Sequence, residues 1–265
     1  MPDASPLHVA RDGAVATLTI DRAAALNTLD FALMDALVDG IAAVAADDAI
    51  GVLVLTGAGR HFMAGGDLRS FATLLDLPGH ERAERFRGLF ARLHAAIEAL
   101  HRMPQLTIAK ARGAVAGFGL SLLCACDLAV AADDAYFSAA YRHIGLSPDG
   151  GGTYALPRMV GTRKALEIML LAERFDAAEA ARLGIVNRVA SGDALDAMVN
   201  QWAQSLASGP RLALRNTKRL VRDAAERTLS QQLNAEAESF LACVARDDFV
   251  EGVSAFLAKR PPNFG

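Results

Sequence analysis

Apolar and polar positions along this chain switch repeatedly between two periods. Val15-Ala16-Thr17-Leu18-Thr19-Ile20 is a β-rich run that ends at Asp21-Arg22, after which Phe31, Met34, Leu37, Val38 and Ile41 recur at helical spacing. Val52-Leu53-Val54-Leu55-Thr56 reads as a buried strand stopped by Gly57-Ala58-Gly59, and Leu106 to Ala111 as another that runs into Gly113. Between them, Glu81 to His101 carries Phe86, Leu89, Phe90, Leu93, Ile97 and Leu100 as a helix-period stripe. Leu128 to Ala131, just after Cys126-Asp127, is a further short strand. Strands alternating with helices predict an α/β domain with largely parallel pairing.

From Arg163 onward the pattern is helical, in the segments Lys164 to Leu171, Ala177 to Leu183, Leu195 to Leu206, Arg211 to Ala224 and Leu229 to Ala245. Gly184, Gly209-Pro210 and short polar turns separate them. The residues therefore predict an α/β core domain over 1–191 and a helical region over 192–265, divided near Ser191-Gly192. No internal repeat or low-complexity tract stands out.

A length of 265 residues with 52% hydrophobic composition is enough for one large domain with a sizeable core. A formal net charge of -3, with Lys and Arg scattered, gives no basic patch for nucleic acid. No stretch reaches the roughly 20 apolar residues that span a bilayer, and Met1 to Pro6 lacks the basic start and apolar block of a secretory signal, so a cytoplasmic protein is expected. Cys124 and Cys126 are too close for an ordinary disulfide within one regular segment, and Cys243 is remote. Without a second Cys or His pair, Cys124-Ala125-Cys126 makes no recognisable zinc site, and no metal is expected.

Candidate chemistry begins with glycines clustered just after strand-like runs, in Ala64-Gly65-Gly66-Asp67-Leu68 and in Gly113-Ala114-Val115-Ala116-Gly117-Phe118-Gly119. Glycine there lets a ligand approach the main chain, and where a strand turns into a helix the first N–H groups are unpaired and carry the positive end of its dipole. Such a place suits a developing oxyanion. The ordinary alternative is that these glycines only make turns. A Gly-x-x-x-x-Gly-Lys-Ser/Thr loop, a Gly-x-Gly-x-x-Gly with a ribose-binding acid, and a Gly-x-Ser-x-Gly elbow are all missing, which argues against a nucleotide-phosphate loop and a serine hydrolase.

Ala25-Leu26-Asn27, Phe62-Met63-Ala64-Gly65-Gly66-Asp67-Leu68, Gly113 to Asp127, Pro148 to Thr153, and Glu251-Gly252 to Asn263, in this order and spacing, resemble the enoyl-CoA hydratase/isomerase, or crotonase, superfamily over almost the whole chain. The pattern is most similar to the ring-opening isomerases of phenylacetate breakdown. The resemblance implies an α/β crotonase-like (ClpP/crotonase) spiral of ββα units with a C-terminal helical trimerisation region. It implies an acyl-CoA substrate, with coenzyme A arriving as part of that substrate and no cofactor bound permanently, and a homotrimer or a hexamer built as a dimer of trimers. Backbone N–H groups of Gly66 and Phe118 would hold the thioester oxygen. Main chain around Ala24, Leu26 and Ala64 would meet the adenine, with Gly65, Asp67, Leu68 and Gly119 in the same glycine-rich segments. Arg69 and Lys259 would approach the coenzyme A phosphates, and Phe256 of a neighbouring subunit would pack on the adenine. The alternatives are ordinary solvated charges at Arg69 and Lys259 and helix packing at Phe256.

The two glutamates that hydratases of this superfamily use correspond to Ser121 and Tyr141, and neither is a carboxylate. The resemblance instead offers Asp149, in Leu146-Ser147-Pro148-Asp149-Gly150-Gly151-Gly152-Thr153, where double-bond isomerases carry an aspartate. A single carboxylate can remove a proton beside the thioester carbonyl and return it farther along the acyl chain. The alternatives at Asp149 are an Asp-Gly turn or a helix cap, and burial near the acyl chain would raise its pKa. Tyr141 either bonds substrate or shapes the pocket, Asp67 reads as a helix-start cap, and His61 and His143 read as packing or surface residues. The expected activity is enoyl-CoA isomerisation. The alternatives are an enoyl-CoA hydratase, nucleophilic use of Asp149 as in aryl-CoA dehalogenases, and a non-catalytic CoA-binding homologue.

Overall fold

Two faces of one sheet account for the near-continuous apolar runs. The computed structural model describes residues 5–264, and among these the chain orders β1 (Leu7–Asp12), β2 (Val15–Ile20), α1 (Phe31–Ala46), β3 (Val52–Gly57), α2 (Leu68–Ala72), α3 (Gly79–Arg102), β4 (Leu106–Ala111), β5 (Ala114–Ala116), α4 (Phe118–Ala125), β6 (Leu128–Ala132) and β7 (Tyr136–Ser138). There follow α5 (Gly152–Val160), α6 (Thr162–Leu171), β8 (Phe175–Asp176), α7 (Ala177–Arg182), β9 (Arg188–Ala190), α8 (Leu195–Ala207), α9 (Arg211–Asp223), α10 (Leu229–Val244) and α11 (Asp247–Leu257). The main sheet has the order β1-β2-β3-β4-β6-β9, parallel throughout except for the antiparallel edge strand β1.

Side chains alternate across a strand, so Leu53 and Leu55 enter one core while Val52 and Val54 enter the other. The larger core lies under α1, α3 and α4, with Leu33, Leu37, Ile41, Leu93, Leu100 and Leu122 among its members. The smaller is closed by Leu195, Val199 and Ala203 of α8, so the chain beyond Ser191 starts by packing on the sheet rather than standing apart from it. α1 starts where Asp30 accepts the N–H of Leu33 at 2.8 Å, and α10 starts with a Thr228–Gln231 capping box.

A second, smaller layer holds β5-β7-β8, with β5 and β7 parallel. Isolated parallel bridges, Leu29 to Gly66 and Met63 to Val115, extend it. The chain therefore repeats one movement: a strand in the main sheet, a short pairing in the second layer, then a helix. β2–Leu29–α1, β3–Met63/Gly66–α2, β4–β5–α4 and β6–β7–α5 are successive turns of this ββα spiral. The repeat is one of backbone geometry, which explains why no sequence repeat accompanies it.

The helical C-terminal region is tied to the core through Asp127, at the turn between α4 and β6. Its carboxylate accepts from Thr107 N and Oγ1 at 2.8 and 2.9 Å and pairs with Lys218 Nζ at 2.8 Å and Arg222 Nη2 at 2.6 Å, both from α9. Lys218 also donates to Gln105 O at 2.7 Å and Arg222 to Ala125 O at 3.0 Å. Burial pulls the Lys218 ammonium below the usual lysine range, with Asp127 opposing it. Beyond this anchor, Leu229, Leu233, Phe240, Leu241, Val250, Phe256 and Leu257 stand exposed along α10 and α11. None of the described helices is long and apolar enough to cross a membrane.

Replacing Asp127 by Ala strands the largely buried Lys218 and the partly buried Arg222, and the expected loss is about 3 kcal/mol of unfolding free energy in denaturant titration. A variant as stable as the parent would show that the cluster does not anchor α9.

Candidate active site

Three consecutive turns of the spiral place their second-layer ends side by side. Met63 N donates to Ala114 O at 3.0 Å and Ala116 N to Met63 O at 2.9 Å, while Leu29 N donates to Gly65 O at 2.8 Å and Asp67 N to Leu29 O at 2.9 Å. Gly117 N donates to Ser138 O at 3.0 Å. These bonds bring the Gly65-Gly66 and Gly117-Phe118 segments into contact: a β-carbon added to Gly117 would fall 3.5 Å from Gly65 Cα. Gly117 itself has φ 51° and ψ −124°, outside the range of other residues, and is the point where β5 turns into α4. Gly119 faces Met63 O so closely that a β-carbon would come within 2.3 Å, which is why the start of α4 carries glycine there. Phe118 is the first residue of α4, where an N–H has no intrahelical acceptor. Among the described residues, neither its N–H nor that of Gly66 donates a hydrogen bond.

The loop before α5 supplies the carboxylate. Asp149 is half-buried, and its Oδ1 accepts from Tyr141 Oη at 2.6 Å. Ser121 Oγ donates to Asp149 O at 2.8 Å and lies 3.2 Å from Tyr141 Oη. Each hydroxyl has one proton, so the Tyr141 proton goes to the carboxylate and the Ser121 proton to the carbonyl. Tyr141 and Ser121 thus hold Asp149 from both ends, one at the carboxylate and one at the backbone carbonyl. α5 starts tightly against this group, since a β-carbon on Gly152 would lie 2.5 Å from Ser121 Oγ. Burial pushes the Asp149 carboxyl above the usual carboxylate range, against the hydrogen bond from Tyr141 and the charge of His94. Burial also raises the Tyr141 phenol, with the Asp149 charge adding to it, so Tyr141 stays protonated as a donor.

The remaining predicted positions divide into a cluster and a remote pair. Ala64 N donates to Leu26 O at 3.1 Å, which joins the Ala24–Leu26 segment to the glycine-rich one; Ala24, Leu26 and Leu68 are exposed. Asp67 caps α2 by accepting the N–H of Arg69 at 3.0 Å and pairs with Arg22 at 2.9 Å. Burial works against its ionisation, yet these bonds prevail and hold the carboxyl below the usual range. Arg69 is exposed at the start of α2. Phe256, 82% exposed, and Lys259, with φ 51°, lie in the last helical segment and its end. His61 is a packing residue whose Nδ1 accepts from Ala114 N at 3.0 Å, and His143 is exposed in a 3-10 turn over Tyr141–Ile144.

Two contributions to the site escaped the sequence pattern. His94 is the polar residue four positions after Phe90 on the α3 stripe, and it is one of the groups that hold down the burial-raised pKa of Asp149. Asn27, fully buried, accepts from Arg22 N at 2.9 Å and donates to Ala58 O at 3.0 Å and His61 O at 2.6 Å, stapling the loop after β2 to the loop that leads to Gly66. A His on an apolar stripe and an Asn before a helix cap were the available signals. Cys124 and Cys126 are buried free thiols pushed up to about 12, unsuited to nucleophilic work. Among the described residues no group of three His, Cys, Asp or Glu is placed to hold a metal ion.

Comparison with known proteins agrees with this architecture. Residues 10–265 match the family model described as enoyl-CoA hydratase/isomerase. The chain is 34% identical over 253 residues to a 1,2-epoxyphenylacetyl-CoA isomerase of Escherichia coli K12, covering 94% of each chain. It is 36% identical over 260 residues to a 2,3-dehydroadipyl-CoA hydratase of the same organism, covering 98% of each. Among solved structures, an enoyl-CoA hydratase from Polaromonas sp. JS666 superposes with a TM-score of 0.90 at 33% identity, covering 98% of this chain and 99% of the other. With the stacked ββα turns, the paired backbone donors and a match over nearly its whole length, this chain belongs to the enoyl-CoA hydratase/isomerase family and has the crotonase fold.

Proposed function

We propose that this enzyme shifts a double bond in an enoyl-CoA thioester, with Asp149 carrying the proton. The observation that carries the reading is the carboxylate itself: Asp149 is anchored at Oδ1 by Tyr141 at 2.6 Å, and by resemblance the positions of the two hydratase glutamates fall on Ser121 and Tyr141, neither of them a carboxylate. Asp149 Oδ2 removes a proton next to the thioester carbonyl, the electron pair moves onto the thioester oxygen as a dienolate, and the N–H groups of Gly66 and Phe118 stabilise that charge. The same carboxyl then returns the proton farther along the acyl chain, so no water, oxidant or bound cofactor is consumed. A pKa raised by burial suits a group that must give the proton back.

Coenzyme A enters as part of the substrate in this reading. The exposed main chain at Ala24 and Leu26, joined to Ala64, receives the adenine, and Arg69 and Lys259 meet the phosphates. Exposed apolar side chains on α10 and α11, Phe256 among them, support a homotrimer or a dimer of trimers in which Phe256 and Lys259 serve an adjacent subunit. A monomer in light scattering would overturn that assembly. The protein is placed in the cytoplasm on the same reading.

A second reading is favoured by His94. In that reading Asp149 attacks the halogen-bearing ring carbon of an aryl-CoA, halide leaves, and His94 in its neutral form takes a proton from the water that hydrolyses the aryl ester, as in aryl-CoA dehalogenases. Covalent labelling at Asp149 during turnover of a halogenated aryl-CoA would support it over isomerisation.

Asp149→Asn is expected to lower isomerisation of a 3-enoyl-CoA by at least about 10²-fold, and undiminished turnover would sink the assignment. The folded state holds the Asp149 proton more tightly than the unfolded chain, so the stability it contributes at low pH is lost as pH rises through the folded pKa. At neutral pH the Asn variant should therefore melt no lower than the parent, which separates lost chemistry from lost folding. In the parent, kcat/KM should fall with decreasing pH at an inflection above the ordinary Asp value of about 3.9. Tyr141→Phe removes a donor that favours the ionised carboxyl, and the inflection should move to higher pH; a shift the other way would contradict the assigned hydrogen bond.

A further inference from the structure

One guanidinium grips both sides of the bridge that aims an oxyanion donor. In the parallel bridge between Leu29 and Gly66, Leu29 N donates to Gly65 O at 2.8 Å and Asp67 N donates to Leu29 O at 2.9 Å. The trans peptide that turns Gly65 O towards Leu29 turns the Gly66 N–H the opposite way, out of the bridge. The direction of that N–H therefore depends on how firmly Leu29 and the Gly65–Asp67 segment are paired.

Arg22, in the loop after β2, holds this pairing from both chains. Its Nη2 pairs with Asp30 and with Asp67, each at 2.9 Å, and its Nη1 donates to Thr28 O. Thr28 and Asp30 are the two neighbours of Leu29, and Asp67 follows Gly66. Arg22 is itself tied down, since its N–H donates to Asn27 Oδ1 at 2.9 Å and its carbonyl accepts from Asn27 N at 3.0 Å. The cluster is no exposed surface pair: the Arg22 and Asp30 side chains are 21% exposed and that of Asp67 11%. One carboxylate would be enough to fasten the loop. Here two converge on one nitrogen, and without the cation they would face each other unneutralised across the bridge. Burial opposes ionisation of Asp67, and the bond from Arg22 leads those that overcome it.

We propose that Arg22 is a positioning residue for thioester polarisation: by holding Asp30 and Asp67 together across the Leu29–Gly66 bridge, it keeps the Gly66 N–H aimed at the thioester oxygen. The proposal rests on the reading of the Gly66 and Phe118 N–H groups as the oxyanion donors. Arg22 acts through the backbone, so its loss shows in how strongly the bound carbonyl is polarised.

The test is difference infrared spectroscopy of hexanoyl-CoA, unlabelled minus labelled with carbon-13 at the thioester carbonyl, bound to the purified protein. Values of kcat and KM for a 3-enoyl-CoA are measured alongside. In the parent the thioester C=O stretch should lie at lower wavenumber than in free hexanoyl-CoA. In Arg22→Met that red shift should shrink, with kcat down about 10²-fold and KM little changed. Arg22→Lys leaves a cation between the carboxylates but no planar fork to reach Thr28 as well. It keeps the measurement open if Arg22→Met does not fold, and a smaller loss of red shift and of kcat is expected from it. A parental red shift and kcat in a folded variant, or a raised KM at parental kcat, would overturn the clamp and leave the thioester reading intact. A carbonyl stretch that does not move when hexanoyl-CoA binds the parent would instead remove the thioester reading, and the clamp with it.

Discussion

The site depends on backbone pairing between successive turns of the spiral. Phe62 and Met63 hydrogen-bond to Arg112 and Ala114, Ala116 returns to Met63, and Gly65 and Asp67 pair with Leu29. Each bond is ordinary, with a net worth of about 1 kcal/mol, yet together they fix the register of three chain passages. A slip of one residue would turn every side chain of a short strand to the other face and carry the N–H of Gly66 or Phe118 away from its neighbour. The glycines serve this pairing: Gly119 lets α4 rest on Met63, and Gly117 turns the chain from strand to helix beside Gly65. Backbone donors built this way are indifferent to side-chain identity, so phenylalanine can follow Gly117 without loss of the donor.

Once the donors are fixed, the chemistry is set by what stands opposite. The hydroxyl protons of Ser121 and Tyr141 are committed to the carbonyl and carboxylate of Asp149. The result is a single half-buried carboxyl, held by Tyr141 at one oxygen and raised in pKa by burial, with Tyr141 and His94 limiting that rise. Ionising such a group at neutral pH costs stability, a cost that functional sites commonly carry. The rest of the fold offsets it through two apolar cores on the faces of one sheet and through the Asp127–Lys218–Arg222 cluster that ties α9 to the end of α4.

Much was legible in the sequence because it is local. The alternation from Val15 to Ile20, the apolar runs at Val52 and Leu106 and the helical stripe from Phe86 to Leu100 are dictated by burial on one or two faces, and the structure has β2, β3, β4 and α3 there. The short elements were not legible. β5, β7 and β8, of two or three residues each, carry too few positions for a period to be read, and they are strands only because a neighbouring turn of the spiral supplies their partners. The helix α5 is masked by the glycines of Pro148 to Thr153, and only the packing of Gly152 on Ser121 shows why glycine begins a helix there.

The sequence by itself determined the α/β alternation, the helical C-terminal region and, through the order of its glycine-rich segments, which backbone groups to examine. Only the tertiary structure decided that Gly65 touches Gly117, that Tyr141 donates to Asp149 across the turn that separates them, and that burial raises the pKa of that carboxyl. The reason is physical. Periodicity and turn chemistry are written within a few residues of the chain, whereas hydrogen-bond partners, burial and the resulting pKa depend on segments far apart in sequence that meet when the parallel turns of the spiral stack.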